Sequence, residues 1–161
     1  MRWTVVLALS VIVVAVPAQA GLHTPSATLT IRLTSTAADA RFLIDRVPKG
    51  YPNTGDVVRE TSTMRNAIAQ FGRPKGAVVG HDTWLVTFVI PPLTKLEVKA
   101  TARLPGGTIR AAGTISGVQT TGTLHVVGGT GSYAQARGTV SMRNLNTSGS
   151  RGLNVYRLQL P

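Results

Sequence analysis

Lys95-Leu96-Glu97-Val98-Lys99-Ala100-Thr101-Ala102-Arg103-Leu104 places every apolar side chain at an even position and every polar one at an odd position. A period of two is the signature of a half-buried strand, because successive side chains point to opposite faces of a sheet. Pro105-Gly106-Gly107 follows, and glycine reaches the positive φ that a tight hairpin turn requires. The chain then returns over 108–116 with Ile109, Ala111 and Ile115 on one face. This stretch predicts an antiparallel hairpin that is apolar on one side and charged on the other.

Working outward, the same pattern recurs. Residues 28–34 alternate Leu29, Ile31 and Leu33 with Thr and Arg, and further strands are expected at 41–46, 56–63, 123–127, 138–146 and 153–160. Val78–Ile90 is apolar on both sides. Trp84, Val86, Phe88 and Ile90 share one face, with Leu85 and Val89 opposite. Burial on both faces predicts a barrel strand whose outer surface is also covered, as by another subunit. Pro91-Pro92 ends it, since proline donates no ladder hydrogen bond. Stretches 47–55 and 71–76 read as loops from their Pro and Gly content. Only 63–70 has the residues for two helical turns, in a context that is otherwise strand. Many short strands with Gly-rich turns and no long helix point to an all-β sandwich or barrel.

The chain has 161 residues and no cysteine, which excludes a disulfide framework and thiolate metal sites. Arg2, an apolar run from Val5 to Val16, and Ala18-Gln19-Ala20 have the three zones of a cleavable signal peptide. The expected organisation is a signal peptide over 1–20, a short tail over 21–26, and one domain over 27–161. Export from the cell is expected, with no membrane-spanning segment left after cleavage. Seventeen Lys and Arg face six Asp and Glu, for a formal net charge of +11. That excess fits contact with an anionic surface. The cations are nevertheless dispersed along the chain and not interleaved with aromatics, which argues against a nucleic-acid site.

Val127-Gly128-Gly129-Thr130-Gly131-Ser132-Tyr133-Ala134 contains G-x-G-x-x-A after an apolar strand. A dinucleotide site also needs a helix at the pyrophosphate and an acidic residue about 20 positions on. Here a strand pattern follows over 138–142, and no Asp or Glu occurs after Glu97. No nucleotide or other cofactor is expected. With Val126 before it and Ala136-Arg137-Gly138 after it, this run resembles the signature of dirigent proteins and allene oxide cyclases. Gly55-Asp56-Val57-Val58 and Gly80 resemble further pieces of that superfamily. The resemblance spans roughly 27–160. It implies an eight-stranded antiparallel β-barrel, an apolar cavity open at one end, trimers in characterised plant members, and a structural role for Arg137 near the barrel end. Its glycines would shape a strand-to-strand connection.

Lignan-forming members of that superfamily steer a bound quinone methide with a pocket Asp and Arg. The corresponding positions here hold Ile115 and Gly122. Allene oxide cyclases close a ring on a fatty-acid epoxide inside the barrel. For chemistry of that kind the candidate is Asp82, which shares the face of Trp84, Val86 and Phe88. A carboxyl among apolar side chains has a raised pKa and serves as acid, base or orienting group. The alternative is a solvated or Arg-paired carboxylate at the rim. Trp84, Val86, Phe88 and Ile115 are expected to line the ligand site, with a small apolar or aromatic molecule as partner. His81 lies on the opposite face from Asp82, His125 reads as a satisfied, partly buried side chain, and His23 is in the tail. Three histidines so scattered give no metal-ligand spacing. The residues leave open a non-catalytic binder, a cyclase or isomerase, and a cell-envelope protein. The neutral Ile115 and Gly122 weigh toward the first and third.

Overall fold

In the computed structural model, residues 27–90 and 94–161 are described. The leader over 1–20, the tail over 21–26 and Pro91-Pro92 lie outside them. Eight strands make up most of the rest: β1 (Ala27–Ile44), β2 (Val57–Asn66), β3 (Val78–Ile90), β4 (Lys95–Leu104), β5 (Gly107–Ile115), β6 (Thr121–Gly129), β7 (Arg137–Asn144) and β8 (Arg151–Leu160). Each pairs antiparallel with its sequence neighbours, and β8 pairs with β1 to close the barrel. The fold is an all-β, closed, eight-stranded antiparallel barrel.

The 95–116 hairpin forms as its alternation requires, with Ala100 opposite Ala111 and Leu104 opposite Gly107. Leu96, Val98, Ala102, Leu104, Ile109 and Ala111 are buried in the lumen, while Lys95, Glu97, Lys99 and Arg103 are exposed. The same parity rule orients every strand, so Ile31, Leu33, Met64, Leu124, Val140 and Leu158 complete the core. Following register partners once round, Ala40 on β1 leads through Glu60, Trp84, Ala100, Ala111, Val126, Gly138 and Leu158 back to Leu29 on β1. That displacement is the stagger that lets tilted strands close into a barrel.

Two expectations need correction. Residues 28–34 and 41–46 belong to one long strand, β1, whose register shifts between Ala37 and Asp39 and again between Phe42 and Ile44. These bulges bend a strand too long to stay straight on the barrel wall. The 63–70 stretch is not helical. Met64, Arg65 and Asn66 finish β2, and Asn66 Nδ2 then donates to the carbonyls of Gln70 and Arg73, folding the turn back on itself. On the outer face of β3, Leu85 is 37% exposed and His81 is exposed within this chain, the face that the sequence reading assigned to another subunit.

The two ends of the barrel differ. At one, the β6–β7 connection folds inward as a single 3-10 turn, Gly131–Tyr133, and Tyr133 plugs the lumen at 3% exposure. Its hydroxyl donates to the Pro105 carbonyl at 2.8 Å, tying the plug to the β4–β5 turn. The glycines here are steric necessities. Gly131 has φ +60, and a Cβ on it would land on the Gly106 carbonyl oxygen. Arg137 stands exposed beside this closed end. The opposite end, framed by the β1–β2, β5–β6 and β7–β8 connections, is the mouth.

Candidate functional site

A cavity of about 300 Å³ runs from the mouth into the lumen. Trp84, Val86, Phe88 and Ile115 all line it, as their strand parity requires. Gly122 lines it too, facing Ile115: a Cβ there would stand 3.1 Å from Ile115 Cγ2 and 3.0 Å from Met142 Cε. The positions where the resemblance implied a pocket Asp and Arg therefore meet across the mouth as an isoleucine and a glycine.

The lumen is two-sided. Leu96 and Val98 of β4, Ile115 of β5 and Met142 of β7 form an apolar wall. Ser35 of β1, Glu60 and Ser62 of β2, and Asn154 of β8 form a polar wall on the other side. Register explains this grouping, because β8, β1, β2 and β3 are consecutive round the barrel. Ser62 is the register partner of Asp82, and Glu60 is the partner of Trp84.

Asp82 lies one inward step beyond Trp84 and is 2% exposed, so it is not a solvated rim residue. Neither carboxylate oxygen holds a hydrogen bond of good geometry. Burial pushes the Asp82 carboxyl above its ordinary value, and the approaching Trp84 and Ser62 groups draw it back only in part. Glu60 is also raised, by burial first and then by the charge of Asp82, against a hydrogen bond from Ser62. Tyr156, 4% exposed, is pushed far up by burial and further by Asp82. Asn154 adds a buried amide nitrogen without a partner. Glu60 and Asn154 thus line the cavity, while Asp82 and Tyr156 are buried in the same part of the barrel, behind that lining.

Glu60, Asn154 and Tyr156 were not singled out from sequence. A signal for Glu60 existed, since Val58, Ser62 and Met64 share its parity and the two apolar members mark the inward face. His125 is exposed and not partly buried, because Leu124 and Val126 take the inward positions of β6 and turn it outward. His81 is exposed on the outer face of β3, opposite in direction to Asp82. Among the described residues, no three His, Asp or Glu side chains gather as a metal site would require.

A second acidic residue has a different task. Asp56, at the foot of β2, accepts from the Arg46 and Asn53 backbone N–H groups at 2.8 Å each. It is shut off from solvent by its own loop although it sits near the surface. Desolvation acts to raise its pKa, but the Arg46 and Asn53 N–H groups, the Asn53 side chain and the Arg46 charge together lower it. Asp56 organises the 45–56 loop at the mouth and stays ionised.

No family model matches the chain, and no curated sequence matches it. Solved structures do. Pyocyanin demethylase superposes with a TM-score of 0.63 at 20% identity, over 81% of this chain and 99% of that one. A pterocarpan synthase dirigent protein gives 0.64 at 14% identity, over 83% and 84%. An exo-specific intermolecular Diels-Alderase gives 0.64 at 12% identity, over 83% and 98%. At these identities the likeness is one of fold, and the chain has the eight-stranded barrel architecture also found in dirigent proteins and Diels-Alderase barrels.

Proposed function

We propose that this protein takes a small, mainly apolar or aromatic molecule into the lumen and uses the Asp82 carboxyl to promote its rearrangement. The reading is that of an isomerase of the cyclase kind on a dirigent-like scaffold. The observation that carries it is the Asp82 carboxyl, 2% exposed and without a hydrogen-bonded partner, directly beyond the Ser62 and Trp84 that line the cavity. A structure-only carboxyl would gain stability by replacement with an apolar residue, whereas an unpartnered one is kept for a ligand to satisfy. Protonated, Asp82 donates to a ligand oxygen (a carbonyl, epoxide or quinone oxygen) as negative charge develops there. Glu60, nearer the mouth, accepts a proton released from the ligand, and the apolar wall fixes the ligand's shape. Proton donation and return balance, so the ligand leaves as an isomer. Ring closure in the manner of the allene oxide cyclases is the finer reading, and the leader-like pattern over residues 1–20 supports export as the setting of the work.

Native mass spectrometry of the full chain tests binding, through a co-purified adduct or a titrated apolar fluorophore. Expected is one ligand per barrel, displaced by filling the lumen. An empty barrel that binds no apolar probe at high micromolar concentration sinks the proposal. If a ligand binds but Asp82→Asn converts it as fast as the parent, the barrel is a carrier and the catalytic part is wrong.

A further inference from the structure

The arginines scattered through the sequence are gathered by the barrel. On the outward face of its closed half each strand presents one basic or imidazole side chain. These are Arg32 on β1, Arg65 on β2, His81 on β3, Arg103 on β4, Arg110 on β5, His125 on β6, Arg137 on β7 and Arg157 on β8, all exposed. Their heights follow from register. His81 and Arg103 are direct register partners. Across four of the other pairs the next member stands two residues nearer the mouth than the partner of the last, across β2–β3 and β5–β6 three, and across β6–β7 Arg137 stands two residues nearer the closed end than Thr139, the partner of His125. Arg103 pairs with Thr108 and Arg110 follows; Arg157 pairs with Thr30 and Arg32 follows. The net climb offsets the stagger of the strands, so the eight positions form a belt round the wall, with His125 at its mouthward edge and Arg137 at its edge toward the closed end. With strands about 4.8 Å apart and tilted by roughly 40°, ring neighbours stand roughly 6 Å apart.

The ring has no acidic counterpart. Among the described residues, Asp39, Asp45, Asp56 and Glu97 lie in the mouth half, and Glu60 and Asp82 face inward. The Arg65 guanidinium donates to the Gly76 carbonyl at 3.1 Å, which holds it in place without neutralising it. An uncompensated belt of six guanidinium groups, each a planar fork suited to an oxyanion, with two imidazoles between them, is a receptor for negative charge.

We propose that this ring docks the closed half of the barrel onto a flexible, linear, phosphate-bearing polymer and leaves the mouth free. The charges point radially from the wall, so a flat lipid surface would meet only a few of them at once. A chain that bends round the barrel meets all of them. Duplex DNA, with a persistence length of about 50 nm, is too stiff to follow that curve. No Phe, Tyr or Trp belongs to the ring, so it lacks the large aromatic platforms on which successive bases stack in single-strand grooves. Phosphate is the expected group because counterion release rewards the polymer of highest charge density.

Long-chain polyphosphate is the probe, with phosphatidylglycerol vesicles and duplex DNA as comparison arms, each titrated across salt concentrations. The expected result is tight, salt-dependent binding of polyphosphate at one barrel per segment, and at least tenfold weaker binding to vesicles and duplex. The ring variant Arg32→Gln/Arg103→Gln/Arg157→Gln should lose roughly tenfold in affinity, with a salt slope lower by about three. The mouth-half variant Arg41→Gln/Lys95→Gln/Arg151→Gln removes the same charge and should change affinity less than about twofold. Equal losses in the two variants would mean that net charge alone binds, and would overturn the ring. Vesicle or duplex binding as tight as polyphosphate would overturn the flexible-polymer assignment. Polyphosphate that competes with a luminal fluorophore would overturn the free mouth.

Discussion

Asp82 costs the fold something when ionised, and that cost has a pH signature. Its pKa is raised by burial, so the folded state holds the proton more tightly than the unfolded chain. Stability is greatest below the ordinary aspartate value and falls as pH rises through the folded-state value. Asp82→Asn should therefore melt close to the parent near pH 3 and above it at neutral and alkaline pH, by on the order of 1 kcal/mol. Chemical denaturation across pH reads the difference directly. A constant offset between the two proteins would mean that the carboxyl does not titrate abnormally. Nearer the mouth, Gly122→Leu should push a side chain against Ile115 and Met142 and close the cavity. Roughly tenfold weaker uptake of an apolar fluorophore, with the fold retained, is expected from a filled pocket. Half of this site could be read from the chain. Asp82 declared itself by sharing parity with Trp84, Val86 and Phe88. Glu60 was obscured because Arg59-Glu60-Thr61-Ser62 is polar on both faces, so no local contrast marks the inward side. Asn154 and Tyr156 were hidden the opposite way, since Leu153 and Val155 make the other face of β8 apolar too.

At the scale of elements, turns carry the consequences. Gly131→Ala would need a left-handed residue and would drive a methyl into the Gly106 carbonyl, so the plug and the β4–β5 turn cannot both keep their places. A loss of about 3 kcal/mol or more in equilibrium unfolding is expected. At the mouth, Asp56→Ala leaves the Arg46 and Asn53 N–H groups without their acceptor, and the 45–56 loop loosens. Because the Asp56 pKa is lowered on balance, its stabilisation exists above the ordinary aspartate range and is lost as pH falls through the folded value. The variant should melt several degrees lower at neutral pH and converge on the parent in strong acid. The elements themselves were legible where one face was apolar and the other charged, as in 95–116. Legibility failed in Ser35-Thr36-Ala37-Ala38-Asp39-Ala40, where small side chains give no alternation and the bulges of β1 interrupt the period. It failed again at 63–70, where helix-favouring residues are overruled by ladder hydrogen bonds to β1 and β3.

For the molecule as a whole, closure was implied by the glycine run and by the two-sided apolarity of Val78–Ile90, and the β1–β8 pairing completes it. What a linear reading could not supply was the gathering of charge, because residues from Arg32 to Arg157 become neighbours only once the wall curves round. The resemblance implies a trimer, and native mass spectra recorded for ligand binding report the assembly at the same time.

Pairing of β1 with β8 also sets Ala27 beside Leu160 at the plugged pole, with the opening at the other. Anything grafted onto either end of the folded domain departs from the pole away from the mouth. An affinity tag, a surface linker or a partner domain should leave entry to the chamber unobstructed, and the barrel should tolerate immobilisation from both ends. For the same reason a short linker from Leu160 to Ala27 would span little distance. A circular permutant opened at the exposed Val118-Gln119 of the β5–β6 connection should fold with all eight strands in their present order.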